Sequence, residues 1–427
     1  MKLKPVGEIR DPVHGYIQLT DVEKQLIDSP FVQRLRKIHQ LAGSYLVYPG
    51  ATHTRFEHVI GTMHVAGLTA EALAQGAEMD PELVQEVRLA ALLHDVGHGP
   101  FSHMYEDVLK GKSHEEISQR VIRETSVGDI LDSYGFSPKK MSEFAVGRQR
   151  SRAPFMNEII AGSLSADMMD YLPRDSYFTG VEYGKVDAQR VMNSLHVAAG
   201  HLVIDDAAVY AYEALLLARY EMFKAVYFHR TVRAAELMLA RSMQLADGVL
   251  GLTDLKDLSR YLDLTDELVI HSLVTLEPST PDLREARRLA VDFNDRRLVK
   301  CAFERVVQRK EEKVGLLFAD ESAREKTVAA IAEASGVDRG KLYLDVPTTP
   351  SVPYTYTKGV LKEVNLLKFE GNRKVVRAVP LSELSLVGSI AGFMDVLRVY
   401  TTQENRPAVE KATSKLFRDD GFVETLV

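Results

Sequence analysis

The sequence predicts a mainly α-helical protein with a few short β-hairpins and a smaller α+β region toward the C-terminus. Three observations carry that prediction. Apolar residues recur at a 3.6-residue period through most of residues 20–340. Stretches of β-branched alternation are few and short, and no fixed-period repeat or low-complexity tract breaks the pattern.

Taken in order, "YIQLT" near the start reads as a strand, and "DVEKQLIDSPFVQRLRKIHQL", "EHVIGTMHVAGLTAEALAQ" and "PELVQEVRLAALLHDVG" read as helices, several with a capping residue or Pro near the start. "HLVIDD" at 201–206 is a second strand. In "YEALLLARYEMFKAVYF" the residues Tyr212, Leu215, Leu216, Tyr220, Phe223, Val226 and Tyr227 share one stripe, so that helix belongs to the core. "DLREARRLAVDFNDRRLVKCAFERVVQ" continues the helical period, and "KLYLDVP" and "RKVVRAVP" supply the late strands. Gly248 and Gly251 interrupt the helical pattern, which places a domain boundary near 250, between regions 1–250 and 251–427. "GRQRSRAP" at 147–154 reads as a solvated basic loop, and "VPTTPSVPYTYTKG" at 346–359 as an ordered loop or flap.

The 427 residues are 45% hydrophobic and 26% charged, an ordinary globular balance. Lys and Arg number 53 against 60 Asp and Glu, a net charge of −7, which disfavours bulk nucleic-acid binding. One cysteine, Cys301, forms neither an intrachain disulfide nor a thiolate-rich metal site, so metal ligands must be nitrogen and oxygen donors. The opening residues lack a signal-type apolar core, and the best apolar run, "LVGSIAGFM" at 386–394, ends at Asp395. The expectation is a soluble, cytoplasmic protein without a membrane partner.

Seven of the 13 histidines, His53, His58, His64, His94, His98, His103 and His114, fall within residues 53–114. In "LLHDVGHGPFSH" (92–103), adjacent His94 and Asp95 close an apolar helix that Gly97 and Gly99-Pro100 stop. An unpaired carboxylate there is costly, and a divalent cation removes the cost. His58, near the start of the preceding helix, is the natural third donor, and "SLSADMMDYLPRD" offers Asp167, Asp170 or Asp175 as a remote fourth. Spacing alone does not choose among the three. Arg219 sits in the apolar stripe of its helix and needs an anionic partner, either a bound phosphate or a buried carboxylate.

"DPVHGYIQL", "RLRKIHQLAGSYLVYPGATHTRFEHVIGTMHVA", "LLHDVGHGPFSH", "SHEE" and "DMMDYLPRDSYFTG" together resemble the HD-domain phosphohydrolases, and among them the branch that hydrolyses deoxynucleoside triphosphates. The resemblance covers roughly residues 8–235, extends into "ARYEMFKAVYFHRTVRAAE", and is faint beyond 250. It implies a helical HD-domain bundle and one cation, of Mn, Fe, Ni, Co, Mg or Zn, held by His58, His94, Asp95 and Asp167. Asp170 then becomes a carboxylate that supports the ligands. The resemblance further implies a catalytic set of His98, His103, Glu106 and His114, with Glu106 orienting His103 as acid or nucleophile.

By the same resemblance Gln40 and Leu41 lie near the sugar, Arg55 on phosphate, Tyr171 under the deoxyribose and Asp175 on the 3′-hydroxyl, while Asp11, Gln33 and Arg36 match residues that bind an activating nucleotide between subunits. Asp11 also reads as the turn residue of "DPVHG". The implied activity is metal-dependent conversion of a dNTP to deoxynucleoside and inorganic triphosphate by a homo-oligomer, dimer or tetramer. Two departures stand out: Glu106 replaces the Asp of related chains, and Met168 follows Asp167 where some members carry Lys. They leave room for an HD phosphohydrolase of another nucleotide or phosphoester, or for a nonenzymatic nucleotide-binding regulator.

Overall fold

The computed structural model describes residues 3–109, 111–150, 152–309, 320–350, 363–370, 373–380, 383–387 and 393–417. It is mainly α-helical, with sheets of short strands. Strands β1 (Gly7–Asp11) and β2 (Gly15–Leu19) pair antiparallel around the "DPVHG" turn, where Asp11 Oδ1 accepts the Val13 and His14 N–H groups at 2.8 Å each. The long helix expected next is two, α1 (Asp21–Ile27) and α2 (Pro30–Arg34), because Pro30 donates no hydrogen bond and holds Ser29 extended at ψ 147°. Helix α3 (Arg55–Gln75) opens on a capping box in which the Thr54 N–H donates to Glu57 at 3.0 Å. Helix α4 (Val84–Leu93) follows a 3₁₀ turn and leaves His94 as its C-cap.

Then come α5 (His114–Glu124), α6 (Ser126–Ser133), α7 (Pro138–Ala145), α8 (Pro154–Ile160) and α9 (Ala166–Thr179), each opened by a Ser/Thr cap or by Pro. Gly180, at φ +77°, stops α9. Further on lie α10 (Ala188–Met192), β3 (Leu195–Ala198), β4 (His201–Asp205), α11 (Val209–Met222), a π turn at Phe223–Tyr227, and α12 (Arg230–Leu250). Within the predicted stripe Tyr212, Leu215, Leu216 and Val226 are buried, while Tyr220, Phe223 and Tyr227 are half-buried.

The last part holds α13 (Leu258–Tyr261), α14 (Asp266–Val274), α15 (Pro281–Asn294), β5 (Lys300–Arg309), α16 (Glu321–Ser335), β6 (Tyr343–Asp345), β7 (Thr348–Pro350), β8 (Glu363–Glu370), β9 (Arg373–Pro380), β10 (Phe393–Thr401) and α17 (Arg406–Leu416). The helix expected through "KCAFERVVQ" is corrected here. Helix α15 ends at Asn294, Arg296 turns left-handed at φ +57°, and residues 300–309 pair antiparallel with β10. The partner strand lies about ninety residues on, and pairing with it overrides the local period. Part of the expected 346–359 loop is strand β7; residues 351–359 of it, and 388–392 of the apolar run, lie outside the described residues. In the basic loop Arg148 pairs with Glu115, and Arg152 with Glu86 at 2.6 Å. Among the described residues no helix is long and apolar enough to cross a membrane.

The chain forms two compact units. The first takes the described residues of Met1–Met222, Gly251–His271 and Pro353–Ser389, and its sheet runs β3-β4-β8-β9, with β4 and β8 parallel. The second takes those of Phe223–Leu250, Ser272–Val352 and Ile390–Val427. There β5-β10-β6, with β7 also on β10, packs against α16 and α17 over Ala302, Ile331, Leu342, Val399, Val409 and Phe417. The second unit also holds a cavity of about 300 Å³ whose lining, among the described residues, includes Arg230, Arg296, Lys300 and Arg406 and no acidic residue.

In the first unit α3 lies directly on α9 because Gly61 carries no side chain. A Cβ there would fall 1.9 Å from Asp170 Oδ1 and 2.3 Å from the Arg174 guanidinium. Gly61→Ala is therefore expected to cost about 3 kcal/mol and to lower the melting temperature by roughly 6 to 12 °C, read by thermal denaturation. An unchanged melt would show that α3 and α9 have slack at this contact.

Candidate metal centre and active site

Three elements bring the four side chains expected as metal ligands together. Helix α3 supplies His58 one turn from its N-terminus, the end of α4 supplies His94 and Asp95, and the first turn of α9 supplies Asp167. His58 Nε2 lies 3.1 Å from Asp167 Oδ1 and 3.6 Å from Asp95 Oδ2, and His94 Nε2 lies 3.3 Å from Asp95 Oδ1 and 3.8 Å from Asp167 Oδ1. Protons on the far nitrogens aim both lone pairs inward. His94 Nδ1 faces the Ala91 carbonyl at 2.7 Å, which only accepts, and His58 Nδ1 faces Asp170 Oδ2 at 2.8 Å. His94 Nε2 is then a buried nitrogen with no hydrogen-bond partner, pointed at two carboxylates.

Two imidazole lone pairs and two carboxylates fit a divalent cation of the nitrogen- and oxygen-binding class, and the donors of His58, His94 and Asp167 have the spacing to hold one. In the metal-free chain protons answer the same negative potential. Burial pulls His58 down, but the Asp167 and Asp170 carboxylates outweigh it and lift the imidazole to about 10. Burial likewise opposes ionisation of Asp95 and Asp167, yet His94, His98 and Arg55 hold Asp95, and His58 and His94 hold Asp167, below the usual carboxylate range. A cation must therefore displace protons from this cluster.

Asp170, the carboxylate expected to support the ligands, is fully buried and accepts from His58, from His14 Nε2 at 2.6 Å, and from Arg174 Nε and Nη2 at 2.9 and 2.8 Å. Arg174 Nη1 reaches Asp11 Oδ2 at 2.9 Å. Both Asp11 oxygens are thus engaged inside the chain, one on the "DPVHG" turn and one on Arg174. Of the other two residues expected at an activator site, Gln33 donates to the Ile27 carbonyl at 2.8 Å and accepts from Arg36, whose guanidinium covers the Phe56 ring at 3.4 Å.

A second group adjoins the first through Asp95, whose Oδ1 lies 3.4 Å from His98 Nε2. The rings of His98 and His114 stack at 3.9 Å, His103 stands edge-on to both, and Glu106 hydrogen-bonds His114 Nδ1. Glu106 was expected to orient His103. It sits on His114 instead, with His103 Nδ1 4.0 Å away, because the first turn of α5 brings His114 within reach. Burial, Arg55 and His114 push the His98 imidazole well below its ordinary value, so it is neutral near pH 7. The donors of His98, His103, Glu106 and His114 also have cation-site spacing.

Arg55 is placed at the join, paired with Asp95 and donating from Nε to Ser102 Oγ at 2.8 Å. Ser102 and Phe101 both have left-handed backbone, φ +60° and +59°, a conformation that costs a non-glycine residue about 1 kcal/mol or more. Nearby, Gln40 donates its N–H to the His53 carbonyl at 3.0 Å, and Leu41 is half-buried beside it. Asp175 is buried and bonded to His53 Nε2 at 2.8 Å, and the His53 ring stacks on Phe178. Burial pushes the Tyr171 hydroxyl up to about 12, against a hydrogen bond from Arg219. Met168 is buried in the core.

Residues 55–148 match the model of the HD domain, and residues 186–420, more than half of the chain, match the model of the HD associated region. The chain belongs to the HD-domain family with an HD-associated region. This HD protein is 39% identical over 260 residues to an uncharacterized protein of Methanocaldococcus jannaschii, covering 60% of the chain and 53% of the relative. It is 32% identical over 315 residues to the deoxynucleoside triphosphate triphosphohydrolase SAMHD1 homolog of Dictyostelium discoideum, covering 70% of the chain and 60% of that relative. The HD protein thus spans little more than half the length of these curated relatives. Its fold resembles the crystal structure of a hypothetical protein from Aquifex aeolicus, with a TM-score of 0.75, 28% identity, and coverage of 95% of the chain and 99% of that structure.

Proposed function

We propose that this HD protein is a metal-dependent hydrolase of deoxynucleoside triphosphates, releasing deoxynucleoside and inorganic triphosphate. The observation that carries the proposal is the N₂O₂ donor set of His58, His94, Asp95 and Asp167, joined through Asp95 to a proton-handling group of three histidines. A bound cation there polarises a phosphoryl oxygen and lowers the pKa of water. The protein supplies the rest. Neutral His98 offers a hydrogen bond to the α-phosphoryl group, and Glu106 fixes the His114 ring beside it. As water adds to the α-phosphorus it passes its proton to the Glu106–His114 pair, the P–O5′ bond breaks toward O5′, and His103, protonated beside the bound triphosphate, delivers the proton that O5′ needs. Arg55 and Arg219 face the phosphates, and Tyr171 and Asp175 the sugar.

A second reading, hydrolysis of another nucleotide or phosphoester, is favoured by Met168, whose buried side chain contributes no phosphate-binding charge. Chromatography of products from each dNTP and NTP, with each candidate metal and with guanine nucleotides as activators, decides between them. Deoxynucleoside with intact triphosphate is the expected result. Orthophosphate or pyrophosphate as the sole inorganic product overturns the dNTP assignment, and tight binding with no hydrolysis under any metal would make the chain a nucleotide-binding regulator.

A further inference from the structure

Apart from its edge-on contacts with the His98 and His114 rings, His103 is placed by its backbone. Its side chain is 72% exposed, and its nearest carboxylate oxygen, on Glu106, is 4.0 Å away. The backbone that leads into it is the left-handed pair Phe101 and Ser102, which relaxes unless something holds it. What holds it comes from residues 252–266, far along the chain. Asp266 is 3% exposed; its Oδ1 accepts the Phe101 N–H at 2.7 Å, and its Oδ2 accepts from the His39 N–H at 2.9 Å and from His39 Nδ1 at 2.7 Å. His39 closes the loop, since its carbonyl accepts from Ser102 Oγ at 2.6 Å.

The same stretch grips the preceding residues. The Tyr261 hydroxyl donates to the Gly97 carbonyl at 2.8 Å, the Tyr105 hydroxyl donates to the Leu252 carbonyl, and Arg34 ties the His98 carbonyl at 2.7 Å to the Leu264 carbonyl at 2.6 Å. Residues 252–266 lie outside the HD-domain match and inside that of the HD-associated region.

We propose that Asp266 is a positioning residue for His103, and that residues 252–266 brace the catalytic turn of the HD domain. This rests on the proposed phosphohydrolase reading, in which His103 protonates O5′. A structural role would lower activity toward every substrate alike, whereas a positioning role matters only where the leaving group needs a proton.

The experiment pairs an ordinary dNTP with its analogue carrying sulfur in place of the bridging 5′ oxygen, whose thiolate leaves unprotonated. Asp266→Ala is expected to lower kcat on the oxygen substrate about a hundredfold, the scale of a 1 Å misplacement, with KM little changed. Turnover of the sulfur substrate and bound metal per chain should stay near wild type. Asp266→Asn, which keeps one acceptor for the Phe101 N–H, should be rescued in part, and it serves as the test if the alanine variant does not fold. Equal losses on both substrates, or an unchanged kcat on the oxygen substrate, overturn the brace. A wild-type chain that cleaves neither substrate overturns the phosphohydrolase reading and the brace with it.

Discussion

Replacing Asp95 with alanine is expected to lower hydrolysis at least a thousandfold, about 4 kcal/mol of barrier, and to strip the bound metal. Among the described residues no other carboxylate belongs to both groups of the site: Asp95 faces His58 and His94 on one side and His98 on the other, and it pairs with Arg55. Alanine removes one of two anionic donors and also leaves the buried Arg55 guanidinium without its anion, a change that costs about 3 to 5 kcal/mol of stability. Asp95→Asn separates the two effects, since its amide oxygen still accepts from Arg55. It should recover much of the melting temperature while metal content and activity stay lost. Metal analysis after dialysis, beside product chromatography, reads both. An alanine variant within tenfold of wild-type activity would remove Asp95 from the centre.

The second large effect is expected at a residue that is not itself one of the four expected metal ligands. Asp170 accepts from His14, His58 and Arg174 in a fully buried position, so Asp170→Ala strands a buried guanidinium and frees the His58 ring to turn. Stability should fall by about 3 to 5 kcal/mol and metal affinity by about 10- to 100-fold. The pH dependence has a definite sign. Burial opposes ionisation, but Arg174, His14 and His58 hold the Asp170 carboxyl well below its ordinary value, so its contribution is complete above about pH 4 and is lost as the pH falls through the depressed folded value. The wild type should therefore lose stability on acidification below pH 4 more steeply than the variant. Melts that fall in parallel would show that Asp170 is not the anion holding this cluster.

Much of the candidate site is legible in the sequence because its expected ligands sit in short segments with strong local signals. The apolar run before His94-Asp95, the glycines after it, and the Thr54 cap ahead of His58 each fix where a helix stops or starts, and hence where the side chains stand. Spacing leaves three aspartates open and the resemblance picks Asp167; the fold gives the reason, since a Ser165 cap puts Asp167 in the first turn, on the cluster, and Asp170 one turn on, against Arg174 and His14. His14 lay in plain view in "DPVHG", but nothing local says that it reaches a residue 156 positions away. Asp266 is the same case at greater distance. A carboxylate at the start of a helix reads as dipole compensation, and only the fold brings it to the Phe101 N–H. Strand β5 was misread for the complementary reason, since its partner is supplied by residues 393–401.

The unit that carries the site is assembled from three separate stretches of chain, and its sheet joins β4 to β8, a strand that ends at Glu370. That arrangement sets a schedule for biosynthesis. When Met222 leaves the ribosome all the ligands of the centre have been made, but the brace at 252–266 and the strands at 363–380 have not. At roughly 5 to 20 residues per second the nascent unit waits about 8 to 30 s for its closing strands, with an open edge on β4 and a half-supported histidine cluster. A cation captured during translation would therefore meet an incomplete centre, and a chain cut at residue 250 keeps all four expected ligands while lacking the residues bonded to the turn at Phe101 and Ser102.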